Sequence, residues 1–172
     1  MPYRQWAISA LASGKWHVLR THKIPFSVSA NVRERLGMGS FTVTPLRILI
    51  VDDHDVIRGG LRSLLESRPN WEVCGEATTS LQAIEQAKAL RPDVVVLDIS
   101  MPGSSGLEAI PVIRKETPRP EVLILSRHEE REMRDRAIEA GARDYIPKSQ
   151  ALARDLLHAI DNIVRERSAL AG

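Results

Sequence analysis

Five residues of this sequence are of the types that phosphoryl transfer needs: Asp52, Asp53, Asp98, Ser126 and Lys148. Each falls at or just past the end of a short apolar run. Carboxylates gathered in one pocket repel one another, so such a cluster takes a cation. With oxygen ligands and no His or Cys cluster, the fitting cation is Mg²⁺ or Mn²⁺. A lysine opposite them offsets one remaining charge, and a small hydroxyl offers one hydrogen bond to an incoming oxyanion. Together these parts supply a carboxylate nucleophile, a metal, a cation and a hydroxyl to hold equatorial oxygens.

A single aspartate after a strand is commonly an N-cap or turn residue, and Asp52 or Asp55 alone would be read that way. Matching residue types at the ends of four separate strands are a different matter, and they argue for a site.

The elements that must carry these residues are legible as changes of period. Arg47-Ile48-Leu49-Ile50-Val51 is an apolar, β-branched run that predicts strand one, followed by Ile57, Leu61, Leu64 and Leu65 at helical spacing. Trp71 to Gly75 predicts strand two, and Leu81, Ile84 and Ala87 a second helix closed before Arg91-Pro92. Asp93 to Asp98 is almost continuously apolar, as a strand buried on both faces must be. Leu107, Ile110 and Ile113 predict helix three, in which Pro111 is expected only near the first turn. Glu121 to Ser126 predicts strand four, and a mostly charged helix four runs from about Glu130 to Ala140, with Gly141 as its C′ cap. Asp144 to Pro147 predicts strand five, and Leu152, Leu156, Ile160, Ile163 and Val164 give helix five an apolar face.

This alternation predicts an α/β fold: a doubly wound, five-stranded parallel sheet with helices on both faces and right-handed crossovers. In such sheets ligands bind at the carboxyl ends of the strands, where the strand order reverses. An order of 2-1-3-4-5 makes strands one and three neighbours at that point, so the three aspartates converge with Ser126 and Lys148 opposite.

Composition excludes several classes. A single cysteine, Cys74, rules out an intrachain disulfide and a cysteine-based zinc site. No apolar run approaches the roughly 18 residues of a membrane span. The formal charge of +2 hides a division: residues 1–44 hold six basic residues against one acidic, and residues 45–172 hold 18 against 21. The basic character thus belongs to the leader, which is weak support for nucleic-acid binding by the folded part. Residues 1–44 show no sustained period and are expected to be a disordered extension, or sequence upstream of a true start at Met38. The expected domain spans 45–168, with a short tail at 169–172.

Val51-Asp52-Asp53-His54, Leu97-Asp98-Ile99-Ser100-Met101-Pro102-Gly103, Leu125-Ser126 and Tyr145-Ile146-Pro147-Lys148 resemble, in order and spacing, the motifs of the receiver domain of two-component response regulators (the CheY-like fold). Asp-Asp-His at the start and Lys148-Ser149 at the end are similar to the NarL/FixJ (LuxR-type) subgroup, whose members usually carry a C-terminal DNA-binding helix-turn-helix. The resemblance covers about 46–167. It implies Asp98 as phosphoacceptor. It further implies Mg²⁺ held by Asp53, Asp98 and the backbone carbonyl of Ser100, with Asp52 acting mainly through water on the metal. Lys148 would pair with the phosphoryl group, Ser126 would move to bond it, and Tyr145 would turn inward into the vacated space. Arg127, beside Ser126, would restrict access.

The expected function is therefore a cytoplasmic phosphorylation switch rather than an enzyme acting on other molecules. A histidine kinase or phosphotransfer protein would supply the phosphoryl group, and an unknown output protein or a homodimer formed on phosphorylation would read it. The chain stops soon after helix five, so no DNA binding is expected from it alone. The alternative is a truncated LuxR-type DNA-binding regulator.

Overall fold

The computed structural model describes residues 44–101, 106–116, 118–127 and 130–170. The expectations placed on 1–43 lie outside the described residues. Ten elements alternate along the chain: β1 (Leu46–Val51), α1 (Asp55–Glu66), β2 (Trp71–Ala77), α2 (Ser80–Leu90), β3 (Val94–Asp98), α3 (Gly106–Ile113), β4 (Glu121–Ser126), α4 (Arg131–Glu139), β5 (Asp144–Pro147) and α5 (Leu152–Leu170). The five strands form one sheet in the order β2-β1-β3-β4-β5, with every pair parallel.

Two apolar layers cover the sheet, one on each face, because successive strand side chains point opposite ways. On one face Leu49, Val51, Val95, Leu97, Val122 and Ile124 meet Ala83 and Ala87 of α2, Ile110 and Ile113 of α3, and Ala137 of α4. On the other, Ile48, Ile50, Val94, Val96, Leu123 and Leu125 meet Leu61 and Leu65 of α1 and Leu156, Ile160 and Ile163 of α5. Every residue of β3 is buried, as its unbroken apolar run requires.

Local signals account for two of the boundaries. Thr79 caps α2 by accepting a hydrogen bond from the Gln82 amide at 3.2 Å. Gly141 follows α4 at φ 106° and donates its amide to Ile138 O at 2.9 Å, which is the C′ role expected of it.

Three features depart from the sequence reading. Pro111 lies inside α3 rather than at its first turn. A proline there donates no bond to Leu107 O, and α3 ends soon afterwards, at Ile113. Helix α5 runs through Ala169 and Leu170, past the expected domain end at 168. Arg167 holds its last turn to the fold by pairing with the Asp93 carboxylate and donating to Asp93 O at 3.0 Å. Finally, β2 carries a bulge. Val73 pairs with Ile48 and Gly75 with Leu49, so Cys74 is the extra residue, and its thiol points to Ile48 O at 3.4 Å. A Cβ on Gly75 would stand 2.4 Å from Leu90 Cδ1 and 2.6 Å from Gln86 Oε1, so the ends of these α2 side chains lie close over the bulge.

Candidate phosphoacceptor site

The register of the sheet brings the polar residues together. Val51 pairs with Leu97, Asp98 with Leu125, and Ser126 with Pro147. One residue further along β1 is Asp52, and one beyond β5 is Lys148, whose amide donates to Ser126 O at 2.7 Å. The carboxyl ends of β1, β3, β4 and β5 thus form one rim.

Asp52 and Asp98 are fully buried, each at 0% exposure. Their charges meet one cation: Lys148 Nζ donates to Asp52 Oδ2 and to Asp98 Oδ2, both at 2.6 Å. The other carboxylate oxygens are tied to the following backbone. Asp52 Oδ1 accepts from the His54 amide at 2.8 Å, and Asp98 Oδ1 from the Ser100 amide at 2.7 Å. Both are turns in which an aspartate bonds the amide two residues on, and they fix each carboxylate's rotamer.

Asp53 differs. Its Oδ1 is buried and accepts no hydrogen bond, and His54 Nδ1 stands 2.8 Å away. The hydroxyl of Ser100 is also buried without a hydrogen-bond partner. Ligand atoms of Asp52, Asp53, His54 and Asp98 all lie within 4.8 Å of one another. A buried carboxylate oxygen with no donor, inside a cluster of three carboxylates and one lysine, is the donor set a hard divalent cation satisfies. The residues therefore fit the metal that the resemblance implies.

Ser126 is fully buried at the end of β4. Tyr145 is also buried, at 3% exposure, in the layer that holds Ile124 and Ala137. The ring expected to turn inward on phosphorylation is thus already inside. Arg127 is exposed and reaches across the rim, with Nη2 3.4 Å from Ser100 O, the carbonyl expected to face the metal.

The sequence reading missed Arg58. Its guanidinium donates to Asp52 O at 2.9 Å and to Glu76 Oε2 at 2.8 Å, and pairs with Asp55. Arg62 donates to the other oxygen of Glu76 at 2.6 Å. These bonds, Arg58's first, hold the Glu76 carboxyl below its ordinary range. The Asp55–Arg58 spacing was a readable helical pair, but nothing in the sequence tied Arg58 to Glu76 across the sheet.

A family model described as the response regulator receiver domain matches residues 48–161. The chain belongs to that family. The receiver is 40% identical over 121 residues to a protein-glutamate methylesterase/protein-glutamine glutaminase of Pyrococcus abyssi, covering 69% of this chain and 33% of that protein. It is 36% identical over 115 residues to the response regulator GacA of Pseudomonas viridiflava, covering 67% of this chain and 53% of that protein. Among solved structures it resembles a LuxR-family two-component response regulator from Aurantimonas, with a TM-score of 0.66, 36% identity, and coverage of 71% of this chain and 86% of that one. The receiver thus spans about a third to a half of these curated relatives. The family match at 48–161 supports the receiver reading and not the DNA-binding alternative. No described helix is long and apolar enough to cross a membrane.

Proposed function

We propose that the receiver is a phosphorylation switch in which Asp98 is the phosphoacceptor. The observation that carries this is the double contact of Lys148 with the buried Asp52 and Asp98, beside an Asp53 oxygen that accepts no hydrogen bond. A carboxylate oxygen of Asp98 would form a bond to phosphorus as the P–N bond of a phosphohistidine, or the P–O bond of a small acyl phosphate, breaks. The leaving group takes the bonding pair. Asp98 keeps lone pairs free for this even while it accepts from Lys148 and Ser100.

Bound at Asp53, Asp98 and Ser100 O, Mg²⁺ would offset the negative charge that gathers as phosphoryl and carboxylate approach. Asp52 would serve it through water. Lys148, already on Asp98, needs only to follow the transferred oxygens to pair with the phosphoryl group. Ser126, next along the rim, would donate its hydroxyl to another of those oxygens. Burial of Asp52 and Asp98 keeps bulk water away and strengthens each of these contacts.

The donor would be a histidine kinase or phosphotransfer protein, and the output a protein contact or a homodimer formed on phosphorylation. Binding to DNA is not part of this reading, and the expected location is the cytoplasm. The esterase activity in the name of the Pyrococcus relative is not carried over, since the match covers only 33% of that protein. The domain proposed begins at 45 and runs to the end of α5 at 170, with 1–44 outside the switch.

The test is incubation with acetyl phosphate and Mg²⁺. Intact mass should rise by one phosphoryl group, labile in alkali as an acyl phosphate, and Asp98→Asn should abolish it. Mg²⁺ alone should raise the melting temperature, since it binds only the folded state, and Asp53→Ala should remove that rise. An undiminished label on Asp98→Asn, or an alkali-stable ester on Ser126, would refute the assignment.

A further inference from the structure

We propose that Arg58 is a positioning residue for Asp53, and that Glu76 holds Arg58 in that role. The inference rests on the metal-dependent phosphoacceptor reading given above.

The peptide that joins Asp52 to Asp53 is gripped through its carbonyl. Arg58 Nη1 donates to Asp52 O at 2.9 Å. The orientation of that peptide sets where the Cα–Cβ bond of Asp53 points. Asp53 Oδ1 has no hydrogen bond and only the half-exposed His54 ring beside it, so its placement leans on the backbone behind it. Its neighbours Asp52 and Asp98 each have both carboxylate oxygens bonded. Arg58 therefore holds the backbone behind the one carboxylate of the cluster whose buried oxygen has no hydrogen bond.

The guanidinium can do this because its other edges are fixed. Nε donates to Glu76 Oε2 at 2.8 Å, and Nη2 pairs with Asp55. Its side chain is only 13% exposed. Glu76 is itself anchored: it sits opposite Ile50 in the sheet and accepts from Arg62 at 2.6 Å. Two carboxylates facing Arg58 also offset its charge, so it can stand behind the metal site without repelling a divalent cation. Lysine has no planar fork and cannot reach these three partners at once. Partners that orient metal ligands from behind typically alter metal affinity by about 10–100-fold when removed.

The measurements are the Mg²⁺ concentration that gives half the rise in melting temperature, and the extent of acetyl phosphate labelling at saturating Mg²⁺. Arg58→Ala should raise the half-saturating concentration about tenfold or more, and saturating Mg²⁺ should restore the labelling. Arg58→Lys should behave like Arg58→Ala, and Glu76→Gln should shift in the same direction by less. Arg62→Ala loses a bond to the same Glu76 but not the contact with Asp52. It should lower the melting temperature without moving the half-saturation point. Should Arg58→Ala not fold, Arg58→Lys and Glu76→Gln carry the same comparison. Wild-type half-saturation in the Arg58 variants, while Asp53→Ala loses the response, overturns the positioning role and leaves the phosphoacceptor reading intact. An equal shift in Arg62→Ala overturns it too, by reducing the effect to general stability. A wild-type protein indifferent to Mg²⁺ overturns both.

Discussion

Gly106 lies directly on Ile99: a Cβ there would stand 2.9 Å from Ile99 Cα and 3.1 Å from the carbonyl oxygen of Asp98. The first residue of α3 is thus packed on the backbone that carries the central carboxylate. Gly106→Ala must push α3 or the β3 terminus aside, at about 1–3 kcal/mol, the usual cost of overpacking. Urea denaturation should show that loss, and acetyl phosphate labelling of the folded variant should be slower than that of wild type.

Removing Lys148 should do more. Its Nζ is the shared partner of two fully buried carboxylates, and its side chain is itself only 9% exposed. Lys148→Ala leaves both acids without their cation, which destabilises by about 3 kcal/mol or more without metal. Saturating Mg²⁺ should then raise the melting temperature of the variant by more than that of wild type. An equal rise in both would show that the lysine does not offset the charge of this cluster.

The acid limb of stability should depend on Glu76. Hydrogen bonds from Arg58 and then Arg62 depress its folded-state pKa. Its contribution is therefore complete above the unfolded carboxyl range, about pH 4.3, and disappears as pH falls through the lower folded value. Glu76→Gln should be less stable than wild type at pH 7, and the gap should narrow below about pH 4. Denaturant midpoints across pH 2.5–7 would show it, and a gap that stays constant would contradict the assignment.

The leader should be dispensable. A chain beginning at Met38 should unfold at the same denaturant midpoint as the full chain. A loss above about 1 kcal/mol, the scale of a real packing contact, would show that residues 1–37 support the domain.

What could be read in the sequence followed from periodicity. The unbroken run at 94–97 announced a strand buried on both faces, and helical spacing at Leu156, Ile160 and Ile163 announced the face α5 buries. Once the strands were in order, Asp52, Asp53, Asp98, Ser126 and Lys148 followed as their ends. What escaped were contacts fixed by register rather than period. The bulge at Cys74 shifts β2 by one residue against β1, and no local signal marks it. The fork of Arg58 on Asp52 O and Glu76 joins α1 to two strands. Arg167 holds α5 beyond its last apolar turn by a partner on the far side of the chain, Asp93. Pro111 sits inside α3 because tertiary packing of Ile110 and Ile113 outweighs one lost backbone bond.

The bulge has a consequence for how the protein behaves at high concentration. An open sheet ends in two rows of unpaired amides and carbonyls, and flat rows template strands from other copies. Here β2, one outer strand, is kinked at Cys74 and carries the exposed Glu72 beside it. The opposite outer strand, β5, is only four residues long and closes on Pro147, which has no amide to donate. Both rims are poor templates for a straight partner strand. Growth of fibres edge to edge is thereby disfavoured.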